Sequence, residues 1–366
     1  MAETLISPGV LARENDSSFV SEGPIRNTAA IVGPTVKGPV EIPTVVTSYS
    51  EYENIFGTTL TSGSLVYSYF TSITAFNYFS NGGETLLVSR VANTATDYLP
   101  ASSSADIFGS GALNATNGIT FKTLGDGVIY NNAGTLDAEG AIDSGTSDNF
   151  RWEIANSSVA QGTFDLFIRR GNDNTDNKIV LESWTNLSLD PLASNFVSKV
   201  IGDMYENYNS SNNQIDVIGN YKTNSRYVYV ESITSTFLTP NYFDNNGTAK
   251  AVYADSIPVN ASGSFGAATG DLIDGVKFYD TIIDTNTQGL VAADYTDMIS
   301  LMANQDEYKY NVLTIPGLFN SGTNLATPIA NAINNTQQRG DSIFVMDLVD
   351  YGSTVTQTTV QAAARN

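Results

Sequence analysis

The sequence contains no cysteine and no histidine. Without cysteine it offers neither disulfide bonds nor a thiolate zinc site, and without histidine it lacks the commonest metal ligand and general base. The GxxxxGK, GxGxxG and GxSxG motifs of nucleotide-binding and hydrolytic proteins are missing too. We therefore expect a protein that is not an enzyme, with no catalytic residues, no cofactor and no bound metal.

Positive charge is scarce, because 17 basic residues face 38 acidic ones and give a formal net charge of −21. This balance argues against direct binding of nucleic acid, whose phosphates require the opposite sign. No apolar run approaches the roughly 18 residues of a membrane span, and residues 1–4 lack the basic start of a secretory signal. We expect a soluble protein, made in the cytoplasm, without membrane insertion.

The best-defined pattern lies between residues 29 and 91. It predicts the order strand, turn, strand, helix, strand, in which glycine and proline mark the turns. On the longer helix, apolar residues at spacings of three and four predict one apolar face, formed by Leu65, Tyr69, Ile73, Phe76 and Phe79. The predicted strands span 29–32, 43–47 and 85–91, the helices 48–56 and 64–79, and glycines at 82 and 83 end the second helix.

The middle of the chain is rich in Ser, Gly, Asn and Asp and predicts short strands. Those at 150–154, 163–170 and 178–184 predict a small antiparallel domain. The turn at 171–178 has the acidic and amide side chains of a calcium loop. Counted from Asp173, however, the sixth and twelfth positions hold Lys178 and Trp184, where an EF-hand needs glycine and glutamate. We interpret this segment as a hairpin turn.

The last third alternates helices with apolar strands, which predicts parallel pairing with helices packed on the sheet. Asp347 and Asp350 lie at the end of the final strand, where carboxylates of α/β enzymes often hold Mg²⁺. Without a nucleotide-binding motif we interpret them as solvated residues or intersubunit contacts. The predicted helices span 270–283, 292–302 and 324–339, and the strands span 311–315, ended by Pro316-Gly317, and 342–348.

The strand at 85–91 is too apolar to lie alone, and the two late strands are its expected partners in one sheet. The sequence therefore predicts a multidomain α+β fold, in which a discontinuous α/β core is interrupted by a β-rich insertion and preceded by an extended arm. The predicted divisions are 1–22 for the N-terminal arm, 23–92 and 261–366 for the two halves of the core, and 93–260 for a surface-exposed insertion with subdomains at about 93–149 and 150–260.

Several phrases in a fixed order resemble the contractile tail sheath proteins of bacteriophage myovirus tails and related contractile injection systems. SPGV at 7–10 precedes AAIVGPTVKGPVEIPTVVTSYSEYENIFG at 29–57, and NGGE and LLVSRV follow at 81–91. A separate unit agrees, with a Leu-Ser-x-Asp-Pro phrase at 187–191 before an aromatic-Val-x-x-Val-Ile helix. VLTIPG and FVMDL, at 312–317 and 344–348, resemble the sheath core.

This resemblance implies a structural subunit that forms a helical homo-oligomer, with stacked rings around an inner tail tube, in a virion tail assembled in the host cytoplasm. Contraction would drive the tube through a target envelope for genome ejection or effector delivery, with a baseplate and a tail terminator as further partners. The N-terminal arm would donate a strand to the sheet of a neighbouring subunit. Its implied residues are Ile6, Pro8, Gly9, Val10, Leu11, Arg13 and Glu14.

Family members continue past the FVMDL strand into a tube-facing portion. The resemblance therefore implies either a chain truncated before that part, which we favour, or an unusually short member. A second interpretation is a β-rich virion surface, decoration or adhesin protein. It fits the Ser, Thr and Asn content but does not account for the ordered phrases or for the α/β last third.

Overall fold

The computed structural model describes residues 28–62, 65–92, 102–114, 116–126, 147–174, 176–266, 282–320, 323–349, 352 and 354–363. The strands are β1 (Thr28–Gly33), β2 (Thr44–Val46), β3 (Leu60–Ser62), β4 (Leu65–Tyr67), β5 (Thr85–Arg90), β6 (Ser102–Phe108), β7 (Asn117–Asp126), β8 (Phe150–Ser158), β9 (Thr163–Arg170), β10 (Val180–Ser188), β11 (Tyr205–Asn209), β12 (Gln214–Ile218), β13 (Val228–Ile233), β14 (Ala261–Ser264), β15 (Val312–Phe319) and β16 (Ile343–Asp347). The helices are α1 (Tyr49–Phe56), α2 (Phe70–Ser80), α3 (Val197–Val200), α4 (Thr296–Leu301), α5 (Ala326–Arg339) and α6 (Gln357–Ala363).

One sheet joins the two ends of the described chain, in the strand order β16-β15-β1-β5-β2. β1 pairs in parallel with β15 on one side and with β5 on the other, and β15 pairs in parallel with β16. The short β2 is antiparallel to β5. The prediction that the early and late apolar strands share one parallel sheet is therefore confirmed. The exact domain boundaries stay a prediction.

Both faces of β1 and β5 are covered, which is why their sequences are continuous apolar runs rather than alternating ones. One face packs with α4 and α5 in a cluster that includes Leu87, Met298 and Ile329. The opposite face packs with α1 and α2 in a cluster that includes Ile31 and Tyr52. Each fully buried aliphatic side chain contributes about 1.5–3 kcal/mol, so this three-layer region is the centre of the core.

The short helix α1 begins at a cap that the sequence supplies. The Ser48 hydroxyl accepts a hydrogen bond from the Glu51 amide at 3.2 Å, and the Glu51 carboxylate accepts one from the Thr47 amide at 2.8 Å. Reciprocal bonds of this kind satisfy amides at the start of a helix that have no partner within it. The helix ends at Phe56, before Gly57 with φ of 70°. The predicted helix at 48–56 is confirmed.

The predicted helix at 64–79 is wrong at its start, because Leu65–Tyr67 form β4 and pair with β3. α2 begins only at Phe70, whose amide donates to the Gln288 side-chain oxygen at 2.8 Å. That partner is 218 residues away in sequence, so no local pattern showed where the helix begins. The end is as predicted, since Gly82 adopts a φ of 86° directly after the helix.

β15 does not stop at Pro316-Gly317, and this prediction is also wrong. The strand runs on to Phe319 through an irregularity between Thr314 and Phe319, with Gly317 at φ 85°. The freed carbonyl of Pro316 accepts from the Gln288 side chain at 3.0 Å, and that of Gly317 accepts from the Thr287 hydroxyl at 2.5 Å. Because these donors replace the missing sheet partners, the chain bulges instead of leaving the sheet.

The strands between residues 102 and 264 form a β-rich unit around its own apolar cluster, which includes Phe121, Phe164 and Leu187. Its sheets have the orders β10-β9-β8-β14 and β13-β7-β6, and β11 and β12 form a separate hairpin. The prediction that 150–184 forms consecutive antiparallel strands is confirmed. The predicted helix at 196–201 is a single turn, α3, and the predicted helix at 270–283 lies almost entirely outside the described residues.

A buried ion pair holds the hairpin turn between β9 and β10. The Asp173 carboxylate accepts from Arg151 Nη1 at 3.0 Å and from Arg169 Nε at 2.7 Å, and all three side chains are almost fully buried. The Ile179 amide donates to the same carboxylate at 2.9 Å. Asp173 is one of the acidic residues that make this turn similar to a calcium loop. Its carboxylate is paired with two guanidinium groups instead.

The start of α5 is held by a carboxylate from a distant part of the chain. Asp284 accepts hydrogen bonds from the backbone amides of Leu325, Asn324 and Thr323, at 2.8 to 3.1 Å. These bonds, that from Leu325 first, hold the pKa of Asp284 below its ordinary value. In the part of the chain that the structure describes, no helix is long and apolar enough to span a membrane.

We predict that Asp173→Ala destabilises the protein by about 3–5 kcal/mol, because it removes the buried carboxylate that Arg151 and Arg169 share, although Arg169 keeps a second ion pair, with Glu153. Urea denaturation gives the change in the free energy of unfolding. Asp176→Ala is the matched control, since Asp176 is exposed in the same turn and its loss is expected to change stability by less than about 0.5 kcal/mol. Equal effects of the two substitutions would contradict the assigned role of Asp173.

We predict that Asp284→Ala lowers the melting temperature at pH 7 and that the difference from the unchanged protein disappears in acid. Asp284 has a lower pKa in the folded protein, so its stabilisation is present above the unfolded pKa and is lost as the pH falls through the folded pKa. Thermal unfolding from pH 7 to pH 3 measures this, and Asp284→Asn, which keeps one acceptor, should be intermediate at pH 7. A difference that stays constant across this range would contradict the prediction.

Candidate assembly surface

The last strand of the sheet, β16, has an open edge. β15 lies on one side of it, and among the described residues no strand pairs on the other. Alternate side chains point to opposite faces: Phe344 and Met346 pack towards the core cluster, whereas Ile343 is 69% and Val345 54% exposed. An apolar strand with unpaired backbone groups along one edge is a template for another strand.

A hollow of about 500 Å³ runs between this strand and α5. Its walls combine the half-buried Phe344 and Met346 with Ile333, which is 40% exposed on the helix. A second hollow, of about 420 Å³, lies at the carboxyl end of the strand, where Phe70, Phe319 and Met346 are among its lining residues. Both hollows adjoin Met346, so apolar surface continues from one face of β16 to its end.

Asp347 was interpreted as a solvated residue or an intersubunit contact rather than as a magnesium ligand, and the structure places its side chain in an exposed position. One oxygen of its carboxylate accepts the Gly317 amide at 3.0 Å, which anchors the bulge of β15. Asp350 lies outside the described residues, so the pair of carboxylates is not brought together there. Among the described residues no group of three acidic side chains is arranged to hold a metal ion.

The second apolar surface is the outer side of α2. The side chains that this helix buries are Thr71, Ser72 and Ala75, whereas Ile73 is 44% and Phe76 51% exposed. Small inner side chains bring the helix close to the sheet: a Cβ atom on Gly33 of β1 would lie 2.5 Å from the Thr71 hydroxyl oxygen. The apolar face predicted from spacing therefore exists, but two of its large members point outward.

The residues predicted to donate a strand lie outside the described residues, so the structure does not place them. They are Ile6, Pro8, Gly9, Val10, Leu11, Arg13 and Glu14. The open edge of β16 and the outer side of α2 were not predicted from the sequence. The one signal for the open edge in the sequence was the segment SIFVMDL. Polar Ser342 and Asp347 lie at the two ends of this apolar strand, and alternate side chains of a strand point to opposite faces, so only every second residue needs to be buried.

No protein family model matches the sequence, and no curated protein does either. The structural neighbours of the chain are sheath tail proteins. The sheath tail protein Lin1278 from Listeria innocua is similar with a TM-score of 0.43 and 11% identity, over 93% of this chain and 56% of that one. The sheath tail protein DSY3957 from Desulfitobacterium hafniense is similar with a TM-score of 0.39 and 12% identity, over 97% and 60%. The chain thus spans less than two thirds of the length of either.

We predict that Val345→Lys reduces self-association of the subunit without unfolding it. The side chain is exposed, so stability should change by less than about 0.5 kcal/mol, while a charge on an edge strand discourages pairing with another strand. Sedimentation velocity gives association and urea denaturation gives stability. Val252→Lys is the control, because Val252 is 76% exposed but lies in the β-rich unit. An equal loss of association in both variants would count against the edge of β16.

Proposed function

We propose that this protein is the structural subunit of a contractile tail sheath. Many copies assemble helically around an inner tube, and a change in their packing shortens and widens the assembly and drives the tube through a target envelope. The subunit hydrolyses nothing, since the energy is stored in the packing formed during assembly. The setting is a bacteriophage tail, or a contractile injection system of the same design.

One observation carries this proposal: the sequence segments that resemble the sheath family form strands that are neighbours in one sheet. AAIVGP contributes β1, LLVSRV contributes β5, VLTIPG lies in β15, and FVMDL lies in β16 and its carboxyl end. These pieces are far apart in sequence yet adjacent in one sheet. Chance similarities of short phrases have no reason to assemble into a single structural unit.

A sheath subunit needs surfaces that neighbouring copies can cover, and the described part of this chain has two. The open edge of β16 offers backbone hydrogen-bonding groups beside apolar side chains, and the outer side of α2 offers Ile73 and Phe76. Exposed apolar patches of this kind mark interaction sites in soluble proteins. They fit a protein that functions between copies of itself rather than alone.

The N-terminal arm is the proposed tether between subunits. Its segment around residues 5–11 adds as a strand to the sheet of a neighbour, so that backbone hydrogen bonds hold while the rigid parts of the subunits slide past one another. The remaining partners are the inner tube protein, a baseplate that triggers contraction and a tail terminator. No direct contact with nucleic acid and no insertion into a membrane is part of this mechanism.

Deletion of residues 2–20 tests the tether. We expect a folded subunit that no longer forms long sheaths when it is produced together with its tube protein, because the link between neighbours is gone. Electron microscopy gives the sheath lengths, and circular dichroism shows whether the subunit is folded. Sheaths of normal length from the deletion variant would rule out the arm as tether.

A single substitution in the arm tests whether it acts by strand pairing. Val10→Pro removes one backbone donor from the proposed strand and should shorten the sheaths, whereas Val10→Thr keeps the donor and the β-branched shape and should leave them unchanged. If both variants form normal sheaths while the deletion does not, the arm acts through some contact other than strand pairing.

A further inference from the structure

The turn at 36–40 lies between the α/β core and the β-rich unit, and the core holds it firmly. The Lys37 amide donates to the Phe56 carbonyl at 3.1 Å, at the end of α1. Gly38 adopts a φ of 110°, and a Cβ atom there would lie 2.8 Å from the Phe56 ring. Only glycine fits this position without strain, so the core fixes the path of the turn.

Arg90 connects this turn to the β-rich unit. It is the last residue of β5 in the core, and it is fully buried. Its Nη1 atom donates to the carbonyl of Gly38 at 2.7 Å and to the carbonyl of Asp126, the last residue of β7, at 2.9 Å. One buried guanidinium group therefore holds a carbonyl from each of the two units.

Asp126 strengthens the same contact from the other side. Its amide donates to the Gly38 carbonyl at 3.1 Å, and its carboxylate accepts from the Val40 amide at 3.3 Å. Burial raises the pKa of this carboxyl group, and the positive charge of Arg90 acts in the opposite direction. A buried carboxylate in this position is tolerable because a buried guanidinium group lies near it.

A further ion pair lies next to this contact. Lys37 Nζ, buried in the turn, lies 2.6 Å from a carboxylate oxygen of Asp148. Asp126 and Asp148 precede and follow residues 127–146, which lie outside the described part of the chain. The residues on both sides of that segment, Asp126 and Asp148, thus bond to the same turn of the core, at 36–40.

We propose that Arg90 and the turn at 36–40 form a latch that fixes the β-rich unit on the α/β core, so that the two move as one rigid body. The contacts of the latch do not depend on the proposed function. Its role in transmitting force does rest on that function, because a sheath subunit must keep its shape while the packing between subunits changes.

A second contact also joins the two units. The hairpin β11–β12 belongs to the β-rich unit and touches the core through Tyr208 and Ile215. Burial, then the charges of Asp297 and Glu41, raises the pKa of Tyr208 to about 12. Burial, then Asp297 and Asp294, also raises the pKa of Glu41. The acidic groups of Glu41, Asp294 and Asp297 therefore lie together on the core side of this contact, and the hairpin packs there through Tyr208 and Ile215.

Between the two contacts lies a hollow of about 670 Å³, lined by residues of both units, among them Glu41, Lys122 and Tyr205. Its presence means that the units do not pack directly over this area. Because the two units do not pack directly over this area, their relative position depends mainly on the hydrogen bonds and ion pairs of the latch.

Arg90→Met tests the latch, with Arg339→Met as the matched control. Arg339 is also buried and also donates to two backbone carbonyls, those of Met302 and Tyr308, but all its partners lie within the core. Both variants therefore lose a buried guanidinium group that donates to two backbone carbonyls, and Arg339→Met also loses an ion pair with Asp341. Only the first loses a connection between the two units.

Hydrogen exchange of the isolated subunit, followed by mass spectrometry, gives the result. In Arg90→Met we expect the amides of Val40, Glu41 and Asp126 to exchange at least about tenfold faster. Their acceptors are the Asp126 carboxylate, the Arg90 carbonyl and the Gly38 carbonyl, and the guanidinium group of Arg90 holds this cluster in place. Thermal unfolding should separate into two transitions, one for each unit. In Arg339→Met we expect faster exchange around residues 302–310, unchanged exchange at residues 40, 41 and 126, and one transition.

Unchanged exchange at residues 40, 41 and 126 in a folded Arg90→Met variant would overturn the proposal, and so would the same pattern in both variants. If Arg90→Met does not fold, Asp148→Asn serves instead, since it weakens the latch at its half-exposed ion pair. It should accelerate exchange at residues 36–40, and unchanged exchange there would also overturn the proposal.

None of these measurements requires a sheath. A negative result for the latch can therefore be distinguished from a negative result for the sheath function.

Discussion

The parallel pairing of β1 with β15 is the interaction on which the rest of the structure depends. It sets Ala29 opposite Val312 and Ile31 opposite Thr314, and it places the two ends of the described chain in a single sheet. Pairing over such a long stretch of sequence carries a large loop-closure cost and forms slowly. The β-rich unit, whose strands pair mostly with near neighbours in sequence, has the topology to fold before the core closes around it.

Much of this architecture follows from local patterns. The apolar runs of β1, β5 and β15, the cap at Ser48 and the consecutive strands from β8 to β10 are each visible in a short window of sequence. Partners from distant parts of the chain determined the errors. Gln288 sets the start of α2 and supports the bulge at Pro316. The hairpin turn at Asp173 was predicted, but the pairing of its carboxylate with Arg151 and Arg169 was not.

The candidate assembly surface was harder to predict for a related reason. Spacing of apolar residues shows that a helix has an apolar side, but not that Thr71 and Ala75 instead of Phe76 face the sheet. That choice is set by Gly33, where the close approach of β1 leaves room only for small side chains. Similarly, Ile343 and Val345 look like core residues in sequence, and only the structure shows that they are exposed and that β16 is the last strand of the sheet among the described residues.

The open edge of β16 also has a consequence for the timing of assembly in the cell. Edge strands that carry apolar side chains promote aggregation when no specific partner arrives, and the net charge of −21 counters this only by general repulsion between copies. In the sheath proposed above, copies that are not yet incorporated would then be lost at a rate that rises with their concentration. Faster incorporation into the assembly would limit that loss.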